Sequence, residues 1–313
     1  MSVEQKIKKN VALNNFTTFH IGGVAKYFCQ AENKEEIIEA IQWAQQKKLP
    51  FFVLGGGSNI LISDKGYKGL IIRLQSTSYK LQTNIIEAEA GVPLGKVVGL
   101  ALQQGLTGLE WAMGIPGTVG GAVFGNAGAF GKSMADVVET VEVIDISNFQ
   151  FSPVVKGFTL TTGQAIFNFQ KKECEFGYRE SIFKRNKNLI ILSARIKLEK
   201  GNKEAIEKQM KEFFQVKRNA QPLEYFSAGC VFKNPENISA GELIEKANLK
   251  GKQIGQAQIS NKHSNFIVNM GKAKAIDVVK LINLTKKTVK RKFNVDLEEE
   301  IQYFGFENSL KIF

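Results

Sequence analysis

The segment 105–131, GLTGLEWAMGIPGTVGGAVFGNAGAFG, constrains the fold more than any other part of the chain. Nine of its 27 residues are glycine, against 29 in all 313. Ordering that much glycine is entropically costly, because glycine has the most backbone freedom to lose. A flexible linker would avoid the cost, but linkers are polar and Gly/Ser-rich. The embedded Leu109, Trp111, Met113, Ile115, Val119, Val123 and Phe124 argue for packing instead. Two ordered readings remain. The segment is a glycine-lined wall against a large planar or phosphorylated ligand, or it is a set of tight turns between short strands.

Around it the apolar spacing alternates between helix and strand. Positions 33–49 form an amphipathic helix: Asn33 is an N-cap with Glu36 three residues on, Ile37, Ile38, Ile41 and Ala44 share a face, and Pro50 ends it. Strands follow at Phe51–Leu54 and 85–90. Pro93 opens a helix closed by Gly105. Strands at 141–146 and 189–198 precede a helix over 202–218. The last third holds helices at 240–247 and 275–293 and a terminal strand at 299–304. This order indicates an α+β protein rather than a regular parallel sheet. Length allows two or three domains.

Bulk properties narrow the function. No apolar run approaches the roughly 20 residues needed to span a membrane, and the first ten residues lack the apolar core of a secretory leader. Cys29, Cys174 and Cys230 are odd in number and form no CxxC, which argues against a disulfide framework or a structural zinc site and fits a reducing cytoplasm. The net charge of +12 invites a nucleic-acid reading. The lysines are scattered, however, and the densest cluster (Lys286, Lys287, Lys290, Arg291, Lys292) reads as a solvated helix face. Positive potential of this kind attracts small polyanions such as nucleotides.

Five motifs could carry chemistry. Leu54-Gly55-Gly56-Gly57-Ser58-Asn59 follows a strand, so its N–H groups could converge on a pyrophosphate with Ser58 and Asn59 as added donors, or it is a hairpin turn. Ile60 stands where a dinucleotide fingerprint needs its third glycine. The run Gly128–Ser133 imitates the end of a phosphate-binding P-loop, but Asn126 occupies the required first glycine. Phe176-Gly177-Tyr178-Arg179 places an arginine after a glycine turn, where it could clamp a carboxylate or form a surface ion pair. Ser227-Ala228-Gly229-Cys230-Val231-Phe232-Lys233-Asn234-Pro235 delivers a thiol among small residues, as a small core residue or as an acid or nucleophile. In Leu297-Glu298-Glu299-Glu300-Ile301, strand alternation puts Glu298 and Glu300 on one face, as part of a charged edge or of a site.

Together these residues resemble the UDP-N-acetylenolpyruvoylglucosamine reductase family along nearly the whole chain. The resemblance starts at Asn15-Phe16-Thr17-Thr18-Phe19-His20-Ile21-Gly22-Gly23. It runs through 54–59, Gly108-Leu109-Glu110, Gly114-Ile115-Pro116-Gly117-Thr118-Val119-Gly120-Gly121, Asn126-Ala127-Gly128-Ala129, 176–179, Lys233-Asn234-Pro235, Ser260-Asn261-Lys262-His263 and 297–301. The short stretch from Arg179 to Cys230 resembles the subtype lacking an extra substrate-covering loop.

The resemblance implies an α+β architecture. A two-subdomain FAD-binding fold of the vanillyl-alcohol-oxidase type spans 1–84 and 85–200, and a smaller α+β substrate domain spans 201–313. It implies non-covalent FAD held by Leu54, Gly55, Gly56, Gly57, Ser58 and Asn59 and by Gly114, Ile115, Pro116, Gly117, Thr118, Gly120 and Gly121. NADPH is the implied co-substrate. Asn126, Lys233 and Asn234 are the implied contacts to a nucleotide-sugar substrate. Arg179 and Glu300 match the positions that stabilise the negative intermediate, Glu300 with a raised pKa, and Cys230 matches the proton donor. No metal, nucleic acid or membrane insertion is implied, and the expected state is a cytoplasmic monomer. Another flavoprotein oxidoreductase of the same fold is the alternative. Three positions depart from the commoner pattern: Cys230 replaces serine, Phe130 replaces tyrosine and His20 replaces arginine. A thiol, with a reference pKa of about 8.5, is a far stronger acid than an alcohol.

Overall fold

Local chemistry sets the first helix. The Asn33 side-chain oxygen accepts the Glu36 N–H at 2.9 Å, and the Glu36 carboxylate accepts the Glu32 N–H at 3.0 Å, so the helix begins at Lys34 and runs to Gln46. Ile37, Ile38, Ile41 and Ala44 are all buried, as their spacing requires. The helix ends three residues short of the expected Leu49, left-handed Lys48 turns the chain, and the strand Phe51–Leu54 follows. The structure, a computed structural model, describes residues 3–147 and 166–306.

The chain divides into two compact units. The first comprises Met1–Gln30, Glu39–Ile72 and Gln215–Phe313. One of its sheets has the order Lys8–Ala12, Val24–Ala31, Tyr67–Leu74, Phe51–Leu54. Leu13, Ala25, Phe28, Leu54, Ile60, Ile62 and Ile71 form the core beside it. A second sheet has the order Phe226–Cys230, Phe266–Asn269, Ala257–Ile259, Gln253–Ile254. The helices Ala240–Lys246 and Ala275–Phe293 bury Leu243, Ile244, Val278, Leu281, Ile282 and Val289 in the core with it. Gln302–Phe304 pairs in parallel with Ile60–Ile62.

The last strand therefore starts later than the expected 299. Glu298, Glu299 and Glu300 precede it, with Glu299 in an antiparallel bridge to Phe232. Glu298 pairs with Lys233 at 2.6 Å and Glu299 with Lys286 at 2.9 Å. The physical reason is that 298–300 bonds to the chain at 231–233 before the parallel pairing begins. The basic helix face is also less free than its sequence suggests, since Lys290 meets Asp296 at 2.7 Å and Lys292 donates to the Ala247 carbonyl at 2.9 Å.

The second unit comprises Ala31–Ile38 and Arg73–Phe214. Its antiparallel sheet has the order Ile166–Gln170, Val138–Asp145, Leu189–Lys197, Ile85–Glu89, Tyr79–Gln82. The helix Val119–Phe124 packs on the strand Leu189–Lys197. The helix Leu94–Gln103 follows Pro93, and left-handed Gly105 closes it. The helix expected at 202–218 is observed as Lys203–Ala220. Within the glycine-rich segment, Leu109, Trp111, Val119 and Val123 are buried. The segment is thus packed, and it is built from a tight turn at Glu110–Ala112, the helix Val119–Phe124 and a small hairpin.

Candidate functional site

In the first unit the glycine turn and the backbone of the segments bearing Cys230 and Glu300 belong to one hydrogen-bonded assembly. Gly57 has φ +65°, and a Cβ there would overlap the Phe16 carbonyl oxygen. The Gly57 carbonyl accepts the Thr18 N–H at 3.1 Å. The Thr18 hydroxyl donates to the Ser227 carbonyl at 2.7 Å, and the Ser227 N–H returns a bond to the Thr18 carbonyl at 3.1 Å. Thr18 therefore ties the turn to the strand that ends in Cys230. On the other side of the turn, Asn59 Nδ2 donates to the Glu300 carbonyl at 3.2 Å, and the Asn59 carbonyl accepts the Gln302 N–H at 3.1 Å. The Glu300 N–H in turn donates to the Val231 carbonyl at 2.8 Å, one residue past the half-buried Cys230.

The remaining residues of this unit are placed nearby in the chain and held by their neighbours. Lys233 keeps little exposure beside Glu298. The Asn234 side-chain oxygen accepts the Ala240 N–H at 3.0 Å, which fixes the approach to the helix Ala240–Lys246. His20 is left-handed, with φ +54°, and its ring stacks on Phe226 at 3.7 Å. His263 lies below the ordinary histidine range, chiefly because it is buried, with Lys250 adding to the effect. Its Nδ1 accepts the Asn265 N–H at 3.2 Å.

The second unit carries the arginine and the glycine wall. Gly177 and Glu180 exchange backbone bonds of 3.0 and 3.2 Å, so Tyr178 and Arg179 form a two-residue turn. Arg179 has φ +56°, a strained conformation for a side-chain-bearing residue. Three neighbours hold that turn. Lys184 Nζ donates to the Arg179 carbonyl at 2.9 Å. Ser181, fully buried, donates to the Phe124 carbonyl at 2.6 Å. Asn126 Nδ2 donates to the Gly177 carbonyl at 2.8 Å, while its Oδ1 accepts the Ala135 N–H at 2.9 Å.

The wall is anchored by its own backbone. The N–H groups of Val119 and Gly120 donate to the carbonyls of Val92 and Ala90, both at 2.9 Å, and Leu94 N–H donates to the Gly117 carbonyl at 3.0 Å. A Cβ on Gly120 would stand 2.6 Å from that of Ala90. Thr118 Oγ1 accepts the Gly121 N–H at 3.3 Å. Gly120 thus serves first to let two segments touch. The P-loop imitation is a hairpin: Gly128–Ala129 pairs with Lys132–Ser133, and Phe130 at its tip stacks on Phe213 at 4.1 Å.

The structure thus brings Cys230, Glu300 and the 54–59 turn together in one unit, and Arg179, Asn126 and the 114–121 wall in the other. Among the described residues, no three His, Cys, Asp or Glu side chains gather as a metal would need, and no helix is long and apolar enough to cross a membrane. A glycine turn with little room for side chains, rich in backbone donors and flanked by Ser58 and Asn59, suits an anionic pyrophosphate. The residues present therefore fit a dinucleotide cofactor such as FAD. Two contributors lacked any sequence signal for their role: Thr18, which laces the turn to the thiol strand, and Asn265, which bonds the chain beyond Cys230. Both act on backbone far away in sequence.

Comparison with known proteins agrees with this construction. The profile of an FAD binding domain matches residues 25–148, and that of the UDP-N-acetylenolpyruvoylglucosamine reductase C-terminal domain matches residues 221–304. The chain is 43% identical over 307 residues to the UDP-N-acetylenolpyruvoylglucosamine reductase of Caldanaerobacter subterraneus subsp. tengcongensis, covering 96% of this chain and 95% of that one. The enzyme of that name from Caldicellulosiruptor bescii is 44% identical, covering 96% and 92%. The crystal structure of the Thermus caldophilus UDP-N-acetylenolpyruvylglucosamine reductase superposes with a TM-score of 0.77 at 36% identity, covering 95% of this chain and 99% of that one. The fold is accordingly α+β, an FAD binding domain with a smaller C-terminal domain. With relatives this similar over nearly its whole length, the chain belongs to the UDP-N-acetylenolpyruvoylglucosamine reductase family.

Proposed function

We propose that this chain is the FAD-dependent enzyme that uses NADPH to reduce the enolpyruvyl ether of UDP-N-acetylglucosamine-enolpyruvate, giving UDP-N-acetylmuramate for peptidoglycan synthesis. Bound FAD, once reduced by NADPH, supplies hydride to the terminal carbon of the substrate double bond. The chain's own groups manage the charge and the proton. Negative charge arises on the adjacent carbon and its carboxylate. Arg179 opposes it with a fixed positive charge, its carbonyl and turn already held by Lys184 and Asn126. Glu300 assists as a hydrogen-bonding carboxylic acid, which requires its proton to be retained at neutral pH. Cys230 gives its proton to that carbon and regains one from water. Near-attack geometry among these groups is worth several kcal/mol of barrier.

The remaining assignments follow the same reading. The 54–59 turn and the 114–121 wall hold FAD. Lys233 and Asn234 face the nucleotide sugar, and Asn126 contributes beside Arg179. The division 1–84, 85–200 and 201–313 belongs to the same reading; the sheet of Phe226–Cys230, Phe266–Asn269, Ala257–Ile259 and Gln253–Ile254 lies wholly within the last range. A monomer acting in the cytoplasm completes the proposal. The single observation that carries the chemistry is the Asn59–Glu300–Val231 ladder, because it fixes the glycine turn, the carboxyl-bearing residue and the thiol segment relative to one another.

The test is anaerobic stopped-flow absorbance. The purified protein should carry flavin, NADPH should bleach it, and the enolpyruvyl substrate should restore its colour. A protein that cannot be loaded with FAD, or a reduced flavin that the substrate leaves reduced, contradicts the proposal.

A further inference from the structure

The strand Phe226–Cys230 loses its regular pairing just before the thiol. Ser227 faces Val268 and Cys230 faces Phe266, so Ala228 and Gly229 together oppose Ile267. Such a bulge re-aims the following side chain and ends the ladder. Left-handed Gly229, with φ +77°, accommodates it. The chain beyond Cys230 is buried at Val231 and Phe232, and its polar groups need partners there.

One residue supplies them. The Asn265 carbonyl accepts the Val231 N–H at 2.8 Å. Its Oδ1 accepts the Phe232 N–H at 2.9 Å, and its Nδ2 donates to the Phe232 carbonyl at 2.8 Å. The side-chain amide thus imitates the peptide of a neighbouring strand. The other edge of the same segment bonds to the stretch that bears Glu300: Val231 carbonyl to Glu300 N–H at 2.8 Å, and Lys233 N–H to Glu298 carbonyl at 2.9 Å. Asn265 itself is 3% exposed, and its N–H is bonded to His263. Aspartate could accept but not donate, leucine could do neither, and glutamine is a methylene too long.

We propose that Asn265 is a positioning residue that sets the Cys230 thiol and Glu300 in the geometry needed for proton delivery to the substrate. This rests on the reading of Cys230 as proton donor. It predicts a selective defect, because only the step that consumes the thiol proton depends on that geometry.

The experiment uses the FAD-loaded enzyme with Asn265→Asp, Asn265→Leu, Cys230→Ala and the double variant Asn265→Leu/Cys230→Ala. Flavin reduction by NADPH should stay within about twofold of wild type in the Asn265 variants, while reoxidation by the enolpyruvyl substrate should slow about tenfold or more. In the Cys230→Ala background, Asn265→Leu should add less than about twofold, since residues that act as a unit are non-additive. A second readout needs no turnover. Cys29 and Cys174 are buried, so alkylation by iodoacetamide reports on Cys230, and its pH profile should move in Asn265→Asp. Equal slowing of both half-reactions, multiplying effects in the double variant, or an unmoved alkylation profile overturns the proposal while leaving Cys230 as donor. Wild-type reoxidation in Cys230→Ala overturns the donor reading and the Asn265 role with it. Where Asn265→Leu fails to fold, Asn265→Asp and the alkylation profile decide.

Discussion

Substituting Gly57 by alanine should damage the protein in a way that the same change at Gly99 does not. Gly57 has φ +65°, and the new Cβ would be driven into the carbonyl oxygen of Phe16. The left-handed backbone costs an alanine about 1–2 kcal/mol. Overlap with a neighbour that is backbone, and so cannot rotate away, adds about 1–3 kcal/mol. The expected loss is therefore about 2–5 kcal/mol, shared between native stability and the shape of the turn. Gly99 is the control. It lies inside the helix Leu94–Gln103, and a Cβ there would meet nothing within 4 Å. Gly99→Ala should stabilise by about 0.5–1 kcal/mol, because alanine has less freedom to lose in a helix. Urea midpoints of the apoproteins read the stability, and quenching of FAD fluorescence reads the cofactor affinity. Movement of the turn by even 1.4 kcal/mol of binding energy is about tenfold in Kd. If Gly57→Ala unfolds at the wild-type midpoint and binds FAD as tightly, the turn is not constrained as described. If both substitutions shift stability in the same direction, the steric argument fails.

Two further outcomes follow from named contacts. Asn126→Ala removes the bonds to Gly177 and Ala135; it should cost about 1–3 kcal/mol of stability by the urea midpoint. Its kinetic effect should fall on reoxidation by substrate rather than on reduction by NADPH, and the opposite split would remove Asn126 from the support of Arg179. Burial holds the His263 imidazole below its ordinary 6.5, so the folded protein resists a proton that the unfolded chain accepts. That contribution is present above pH 6.5 and is lost as pH falls through the lower folded value. Urea midpoints should drop more steeply below pH 6.5 in wild type than in His263→Gln, and equal slopes would show that His263 does not govern this region.

Much of the fold was readable because its signals are local. The helix Ala275–Phe293 matches its apolar stripe, and Phe51–Leu54 emerges where Pro50 ends the preceding segment. The glycine-rich segment announced its packing through residues such as Trp111 and Val119. What local reasoning lacked was the partner chain. The last strand was expected from 299, whereas 298–300 bonds to 231–233 and the parallel pairing begins only at Gln302. Asn126 offers an amide in sequence, but only the fold reveals that both ends of it are spent on backbone at 135 and 177. The tying roles of Thr18 and Asn265 were not legible for the same reason: Asn265 completes a ladder 33 residues away. The roles of Arg179, Cys230 and Glu300 came from family likeness, since an isolated arginine, thiol or glutamate has many structural uses.

The most direct measurement of the central claim is the rate at which substrate reoxidises the NADPH-reduced flavin in Cys230→Ala and Cys230→Ser. The account predicts near-normal flavin reduction in both, reoxidation slowed by several orders of magnitude in Cys230→Ala, and retained turnover in Cys230→Ser. Wild-type reoxidation in Cys230→Ala would contradict it, because the proton would then come from another group or from water.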